Sequence, residues 1–270
     1  MSSNPKPRRP LHKRKSTWIV SAVLLVFAGG LWFVRPQPPP PCRASGEVMK
    51  AIVYREHGSA DVLHLENVGQ CHPNDKQVLI KVHASSANPL DWHTMRGVPY
   101  VMRMGAGYGR PLDPRMGVDV AGEVVAVGKD VTRFKPGDEV YGVAPGAFAE
   151  YARASERRLA LKPACSRPKA RVLVGGGDPN DGRWIGAVAR PAKALLLSPF
   201  VSTEMVMMLS DVNGKDLDVL SGLMLAGKVK PVIDRTYRLS EARDAIDYLE
   251  KGRARGKVVI VVDAGNPAGP

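Results

Sequence analysis

The sequence predicts a protein of mixed α and β structure, in which a β-barrel follows a membrane-spanning helix and precedes a shorter α/β segment. Three observations lead to this prediction. Residues 16–34 contain no charged side chain. Glycines recur at short intervals over residues 97–146, between β-rich runs, which is typical of the short strands and tight turns of a closed or partly closed barrel. After Lys162 the pattern changes to apolar helical runs around one short apolar strand.

The amino-terminal residues have the composition of a membrane anchor. Residues 1–15 form a basic tail, and the uncharged run 16–34 would span about 28 Å as a helix, close to the ~30 Å hydrocarbon layer. Trp18 and Trp32 lie near its two ends, where amphipathic rings favour the headgroup level. Residues 35–48 follow as a Pro-rich linker. We therefore expect a single-pass protein with a cytoplasmic N-terminus and its later residues facing outward.

Two alternatives to a retained anchor are open. A cleaved signal peptide would have a shorter apolar run, of about 7–15 residues, followed by a small-residue cleavage site. In the second, the natural start is Met49, because Met49 to Tyr54 reads like the beginning of a chain. The protein would then be cytoplasmic.

The charge of the chain does not indicate a nucleic-acid binder. Of the formal net charge of +13, residues 1–48 carry +7, from eight Lys/Arg and one Glu. Aromatic residues make up only 6% of the chain, too few to favour a base-stacking surface. Three cysteines are too few for a disulfide scaffold or a four-cysteine zinc site.

Several strands are predicted before residue 162. Residues 50–54 and 77–83 are β-rich, and Val78, Ile80 and Val82 would share one buried face. Residues 118–127 are interpreted as a strand pair broken at Gly122.

The carboxy-terminal third is predicted to contain one strand, several helices and a final strand. Ser240 is the predicted N-cap of a helix that Gly252 ends. The apolar runs are a strand at 171–174, helices at 193–197, 203–209 and 217–225, and a buried strand at 257–262.

Most motif-like segments are interpreted as structural. Gly175, Gly176 and Gly177 follow a predicted strand and are the candidate cofactor-binding turn, but the third glycine of the dinucleotide fingerprint is replaced by Asn180. Residues 222–228 are interpreted as a helix C-terminus rather than a P-loop. The histidines lack metal-ligand spacing, so no metal site is predicted. Capping of turns and helices is the commoner use of acidic residues such as Asp91, Asp119, Asp138 and Glu139.

From Met49 onward the chain resembles the zinc-independent, quinone-oxidoreductase-like branch of the medium-chain dehydrogenase/reductase family. The segments that carry the resemblance occur in the family's order: Met49–Val53, Ala87–Trp92, Gly117–Val124, Val127–Gly128, Phe134–Gly142, Gly227–Ile233 and Gly256–Ile260.

The resemblance implies an α/β fold in which a GroES-like β-barrel catalytic domain is joined to a Rossmann dinucleotide-binding domain. It also implies hydride transfer from NADPH to a small quinone or activated enone. Zinc-using relatives carry cysteine where Asn88 stands and histidine where Val118 stands, and neither residue present is a useful zinc ligand. By likeness to the family motif, Asn88 and Asp91 line the catalytic cleft. Tyr100 is the candidate donor to a developing oxyanion, with Tyr108 as the alternative.

The chain departs from the family after Pro163, where a six-stranded dinucleotide-binding domain should begin. Instead, a run that resembles the closing strand of that domain follows within a few residues, so the resemblance implies that a block on the order of a hundred residues is missing. The predicted organisation is a catalytic barrel at 49–164, a truncated Rossmann remnant at 165–228, a return to the catalytic domain at 229–263 and a tail at 264–270.

The missing block has two consequences for function. An impaired oxidoreductase that binds NADPH poorly is expected, and the alternative is a non-catalytic, membrane-tethered binding barrel derived from such an enzyme. The apolar residues of the remnant also predict self-association, for instance as a homodimer.

Overall fold

The computed structural model describes residues 44–163 and 212–262, which lie within one compact unit of the chain. Several predicted features lie outside the described residues: the anchor at 16–34, the Gly175–Gly177 turn and the runs at 171–174, 193–197 and 203–209. No helix within the described residues is long and apolar enough to cross a membrane. The strands are β1 (Ala44–Val53), β2 (His64–Cys71), β3 (Gln77–Ala87), β4 (Asp119–Val127), β5 (Glu139–Val143), β6 (Tyr151–Ser155), β7 (Leu159–Leu161), β8 (Ile233–Arg238) and β9 (Lys257–Val261). The α-helices are α1 (Pro89–Arg96), α2 (Arg103–Ala106), α3 (Gly214–Leu225) and α4 (Ala242–Glu250).

Strand β3 is the centre of the larger sheet. The strand order is β7-β5-β4-β3-β9-β8, and β6 also pairs with β3. Residues 77–81 of β3 pair with β6, and its last four residues pair with β9. Strand β4 pairs with residues 78–84 of β3. Strands β1 and β2 form a separate two-stranded sheet. Because β3 has three partners, its carboxyl end lies beside chain segments that are distant in sequence.

The predicted buried face of β3 is confirmed. Val78, Ile80 and Val82 are each at most 1% exposed and belong to one hydrophobic cluster with residues of β4 to β7. The alternation of period two therefore identified the core side of this strand.

Strand β1 begins at Ala44, which lies inside the segment 35–48 that is predicted to be a linker. The strand starts there because Ala44 and residues 48–53 pair with β2.

The prediction of a strand pair broken at Gly122 is wrong, since β4 runs unbroken through this residue. Gly122 pairs with Val82 on one side and Val140 on the other. A Cβ atom at this position would come within 2.0 Å of the Lys81 carbonyl oxygen. The glycine thus permits a close approach of two strands rather than a turn.

We expect Gly122→Ala to lower the free energy of unfolding by about 2–4 kcal/mol, because β3 and β4 must separate to admit the methyl group. Gly69→Ala in β2 is the matched control, since a Cβ there meets no atom within 4 Å, and it should change stability by less than about 0.5 kcal/mol. Urea unfolding of both variants measures the difference. Equal stability of the two variants would contradict the close approach.

The carboxy-terminal segment forms a β8–α4–β9 unit with parallel strands. Ala242, Ala245 and Ile246 of α4 are fully buried, as the helical spacing predicted. Ser240 is not the N-cap, however, because it lies in a 3-10 turn, Leu239–Glu241, in which the Glu241 carboxylate accepts a hydrogen bond from the Arg238 amide. Gly252 has a left-handed backbone, with φ of 65°, just after the helix, in agreement with the predicted helix end.

Helix α3 ends as predicted and packs against the barrel. Gly227, with φ of 70°, donates its amide to the Met224 carbonyl after the last turn, whereas Gly222 lies inside the helix. The Tyr141 hydroxyl of β5 donates to the Leu217 carbonyl at 2.6 Å. Residues 222–228 are therefore a helix end, which agrees with the interpretation given above.

Candidate active site

A buried polar cluster forms where three distant segments meet. The β3–β4 pairing places Ala84 opposite Ala121, and the β3–β9 pairing places Ala87 opposite Val258. Continuing both registers sets Ser86 beside Asp119 and Asn88 beside Lys257. Asp91 lies one turn into α1, which begins directly after Asn88. We name Ser86, Asn88, Asp91, Asp119 and Lys257 the polar cluster.

Helix α1 is held in place at both ends. Pro89 occupies its first turn, and Gly97 ends it with a left-handed backbone, φ 61°. Trp92 and Met95 are buried in a hydrophobic cluster with residues of α4 and β9. Near its end, the Arg96 guanidinium makes two hydrogen bonds to the Glu250 carboxylate of α4. The helix that carries Asp91 and directly follows Asn88 is thus fixed against the C-terminal segment.

The side chain of Asn88 bonds across the polar cluster instead of capping α1. Its amide nitrogen donates to the Ser86 carbonyl at 3.2 Å and to the Asp119 carboxylate. Its amide oxygen accepts a hydrogen bond from the Lys257 ammonium group. Both amide hydrogens and the carbonyl oxygen are therefore engaged.

Asp119 is the anionic partner in the polar cluster. Its Oδ2 atom accepts from the Ser86 hydroxyl at 2.7 Å and lies 3.4 Å from Lys257 Nζ. The side chains of Asp119 and Lys257 are only 7% and 11% exposed, so both charges are largely removed from water. Burial raises the pKa of Asp119 and lowers the pKa of Lys257, while the attraction between them opposes both shifts.

Asp91 is the second buried carboxyl group of the polar cluster. It is 2% exposed, and its Oδ2 atom accepts the Asn88 backbone amide at 2.7 Å. Burial, reinforced by the negative charge of Asp119, raises the pKa of Asp91 to about 8. Asp119 has more donors around it than Asp91, so Asp91 holds the proton at neutral pH. The Asp119–Lys257 pair then leaves the cluster without net charge.

The structure brings together two of the three predicted catalytic residues, Asn88 and Asp91. Tyr100 begins a 3-10 turn, Tyr100–Met102, and the Arg103 guanidinium carbon lies 4.8 Å from its ring centre. Tyr108 is 51% exposed. The candidate cofactor-binding residues Gly175, Gly176 and Gly177 lie outside the described residues.

Three members of the polar cluster were not identified as site residues from the sequence. The sequence indicates a capping role for Asp119, which the structure does not show. Asp138, from the same set of acidic residues, does have that role, since its carboxylate accepts a hydrogen bond from the Lys135 amide at 2.9 Å. No feature of the sequence indicated that Ser86 belongs to the site. Lys257 could have been identified, since it is a charged residue at the start of an otherwise apolar strand of sequence KVVIV.

His93 is buried in α1, two residues after Asp91. Its Nδ1 atom lies 2.7 Å from the Val98 carbonyl and its ring stacks on Trp92, while Nε2 has no hydrogen-bond partner among the described residues. Those residues also contain no group of three or more His, Cys, Asp or Glu side chains that could hold a metal ion.

Two family models match the chain over adjoining ranges. An alcohol dehydrogenase GroES-like domain matches residues 74–164, and a zinc-binding dehydrogenase model matches residues 158–260. The chain is similar to a 2-methylene-furan-3-one reductase from Solanum lycopersicum, with 29% identity over 78% of this chain and 79% of that protein. It is also similar to a quinone oxidoreductase homolog from Spinacia oleracea, with 38% identity over 44% of this chain.

The chain spans 36% and 41% of the next two curated relatives after the Solanum reductase, which is well below two thirds of their length. Among solved structures, the quinone oxidoreductase from Coxiella burnetii aligns with a TM-score of 0.61 at 23% identity, over 80% of this chain and 100% of that chain. This likeness establishes the fold, a GroES-like domain with a Rossmann-like part and a mixed sheet. The chain belongs to the medium-chain dehydrogenase/reductase family, whose domain models match it in the family's order.

Proposed function

We propose that this chain is an oxidoreductase that reduces a quinone or an activated enone without a metal ion, and that its own hold on the hydride donor NADPH is weak. The observation that carries the reaction class is the polar cluster, a dry site built on Asn88 and Asp91 in the barrel. The named activities of the relatives support the substrate class, since they include quinone oxidoreductases and an NADPH-dependent alkenal/one oxidoreductase from Arabidopsis thaliana.

The chemistry of Asn88 supports a metal-free reaction. The ammonium group of Lys257 donates to its amide oxygen, so a positive charge already occupies the side of the residue that a zinc ion would need. A second cation there would meet like-charge repulsion in a site of low dielectric constant. Carboxamide and ammonium groups are also poor zinc ligands.

A donor is needed when the substrate carbonyl takes up negative charge during reduction. We propose Tyr100 for this role. The Arg103 guanidinium lies over its ring, and this cation–π contact favours the present position of the ring. The polar cluster contributes a rigid wall from which water is largely excluded.

The described residues do not fit the pyrophosphate of NADPH, which supplies the hydride when it is bound. The βαβ unit that they form turns from β8 into α4 through Arg238, Leu239, Ser240 and Glu241. This turn has no glycine to let the backbone approach a phosphate, and Glu241 places a carboxylate at the start of the helix. Because these residues offer no phosphate site, and because Asn180 replaces the third glycine of the fingerprint in the sequence, we propose that the chain binds NADPH weakly.

Titration of the full chain with NADPH, followed by turnover assays with a benzoquinone and a short-chain enone, tests this proposal. We expect slow reduction whose rate rises without saturation as NADPH increases into the millimolar range. A micromolar dissociation constant for NADPH would overturn the weak binding. No reduction of either substrate at any NADPH concentration would overturn the proposed activity.

A non-catalytic binding barrel is the second candidate function, favoured because Asn88, Asp91 and Asp119 all lie within residues 74–164, the range that the GroES-like domain model matches. It predicts that a quinone binds to the full chain, with a measurable change in intrinsic fluorescence, and that no NADPH is consumed. The same titrations therefore separate the two functions.

We further propose that residues 16–34 anchor the protein in a membrane, with the barrel on the side opposite the basic tail. Cys71, at the end of β2, is disulfide-bonded, and such bonds persist chiefly in oxidising compartments. Alkaline carbonate extraction of membranes from expressing cells tests the anchor. Release of the full-length chain into the supernatant would contradict it.

A further inference from the structure

We propose that Lys257 is the positioning residue for Asn88 and that the C-terminal strand thereby sets the orientation of the amide in the site. The significance for catalysis rests on the proposed function, in which Asn88 borders the substrate. The contacts themselves do not depend on it.

The orientation of a carboxamide depends on its neighbours, because rotation by 180° exchanges a donor group for an acceptor. On the nitrogen side of Asn88 lie two acceptors, the Ser86 carbonyl and the Asp119 carboxylate. On its oxygen side lies the Lys257 ammonium group, which can only donate. Rotation would therefore turn the amide nitrogen toward the Lys257 ammonium group, which places donor against donor. It would also turn the amide oxygen toward the two acceptors.

Lys257 acts on both ends of this arrangement. It bonds directly to the amide oxygen, and its charge lies 3.4 Å from the Asp119 carboxylate. Without the ammonium group, the Asp119 carboxylate, which is 7% exposed, would lose its ion-pair partner and would tend to take up a proton. Protonated Asp119 could donate as well as accept, so only the Ser86 carbonyl would then still favour one orientation of the Asn88 amide.

The position of Lys257 follows from the strand register. Strand β9 enters the sheet between β3 and β8, and Val258, Val259 and Ile260 are buried there. With these three side chains fixed, Lys257 lies opposite Asn88 at the point where β3 passes into α1. The residue that orients the amide is thus supplied 169 positions later in the chain.

The side-chain amide signals of Asn88 in the ¹⁵N-labelled full chain test the proposal, with Asn88→Asp providing their assignment. In the unmodified protein we expect two well-separated, exchange-protected amide protons. Lys257→Met should accelerate their exchange by about tenfold or more, since the amide then keeps only the Ser86 carbonyl as a fixed partner. Lys257→Arg keeps a cation that can only donate and should retain most of the protection.

Lys251→Met is the matched control, because Lys251 is an exposed residue of the same C-terminal segment and should leave the Asn88 signals unchanged. If Lys257→Met does not fold, Lys257→Gln and Lys257→Arg carry the comparison, with loss of protection expected only for glutamine. Unaltered protection in both the neutral variants and the arginine variant would overturn the proposal.

This measurement needs neither cofactor nor turnover, so it is independent of the proposed function. If the preparation reduces a quinone, Lys257→Met should lower kcat more than it raises KM, and Lys257→Arg should restore part of the loss. Protection that is lost in Lys257→Met and kept in Lys257→Arg, in a protein without reductase activity, would support the positioning role and contradict the proposed function.

Discussion

Replacing Asp119 with alanine is expected to lower the free energy of unfolding by about 3–5 kcal/mol. The change leaves the Lys257 ammonium group buried without its nearest carboxylate and removes the acceptor for the Ser86 hydroxyl and the Asn88 amide. Ionisation of Asp91, which also attracts Lys257, would reduce this cost. Urea unfolding at neutral pH measures the change.

Asp75→Ala is the control for Asp119→Ala, because it removes an ion pair of the same kind at the surface. Lys129 lies 3.1 Å from Asp75, and both side chains are more than half exposed. Its loss should cost less than about 1 kcal/mol. Adding Lys257→Met to Asp119→Ala should recover part of the lost stability, since no unpaired charge then remains buried. Equal costs for the two aspartates would contradict a buried ion pair in the site.

Replacing Asp91 with asparagine should change how stability depends on pH. The pKa of Asp91 rises to about 8 in the folded protein from 3.8, chiefly through burial, so the folded state holds a proton that the unfolded state has released. Its contribution to stability is complete below about pH 4, decreases as the pH rises and is lost above about pH 8. The unmodified protein should thus lose up to about 1.4 kcal/mol per pH unit from this group within that window.

Asp91→Asn lacks this titration and keeps an oxygen that can accept the Asn88 amide. Its stability relative to the unmodified protein should therefore increase by roughly 3 kcal/mol between about pH 5 and pH 7.5. Urea unfolding at a series of pH values measures the difference, and Asp130→Asn, at an exposed aspartate, controls for the exchange of a carboxyl group for an amide. Parallel curves for Asp91→Asn and the unmodified protein would show that Asp91 ionises normally in the fold.

Local sequence pattern identified about half of the strands and α-helices within the described residues. Alternation located the buried face of β3, and helical spacing located the buried face of α4. It failed where a residue's role depends on a neighbouring strand. Gly122 indicated a turn, but the glycine is needed because the Lys81 carbonyl lies so close to it. Ser240 indicated a helix start, but the Glu241 side chain stabilises a preceding 3-10 turn instead.

The sequence by itself determined the family, the order of its motifs and the presence of Asn88 and Asp91 in one short motif, because these features are local in the chain. Only the tertiary structure showed that Asp119 and Lys257 complete the same site. Strand register decides which distant residues become neighbours, and burial decides how their charges interact. Neither quantity can be read from residue spacing when 169 positions separate the two partners.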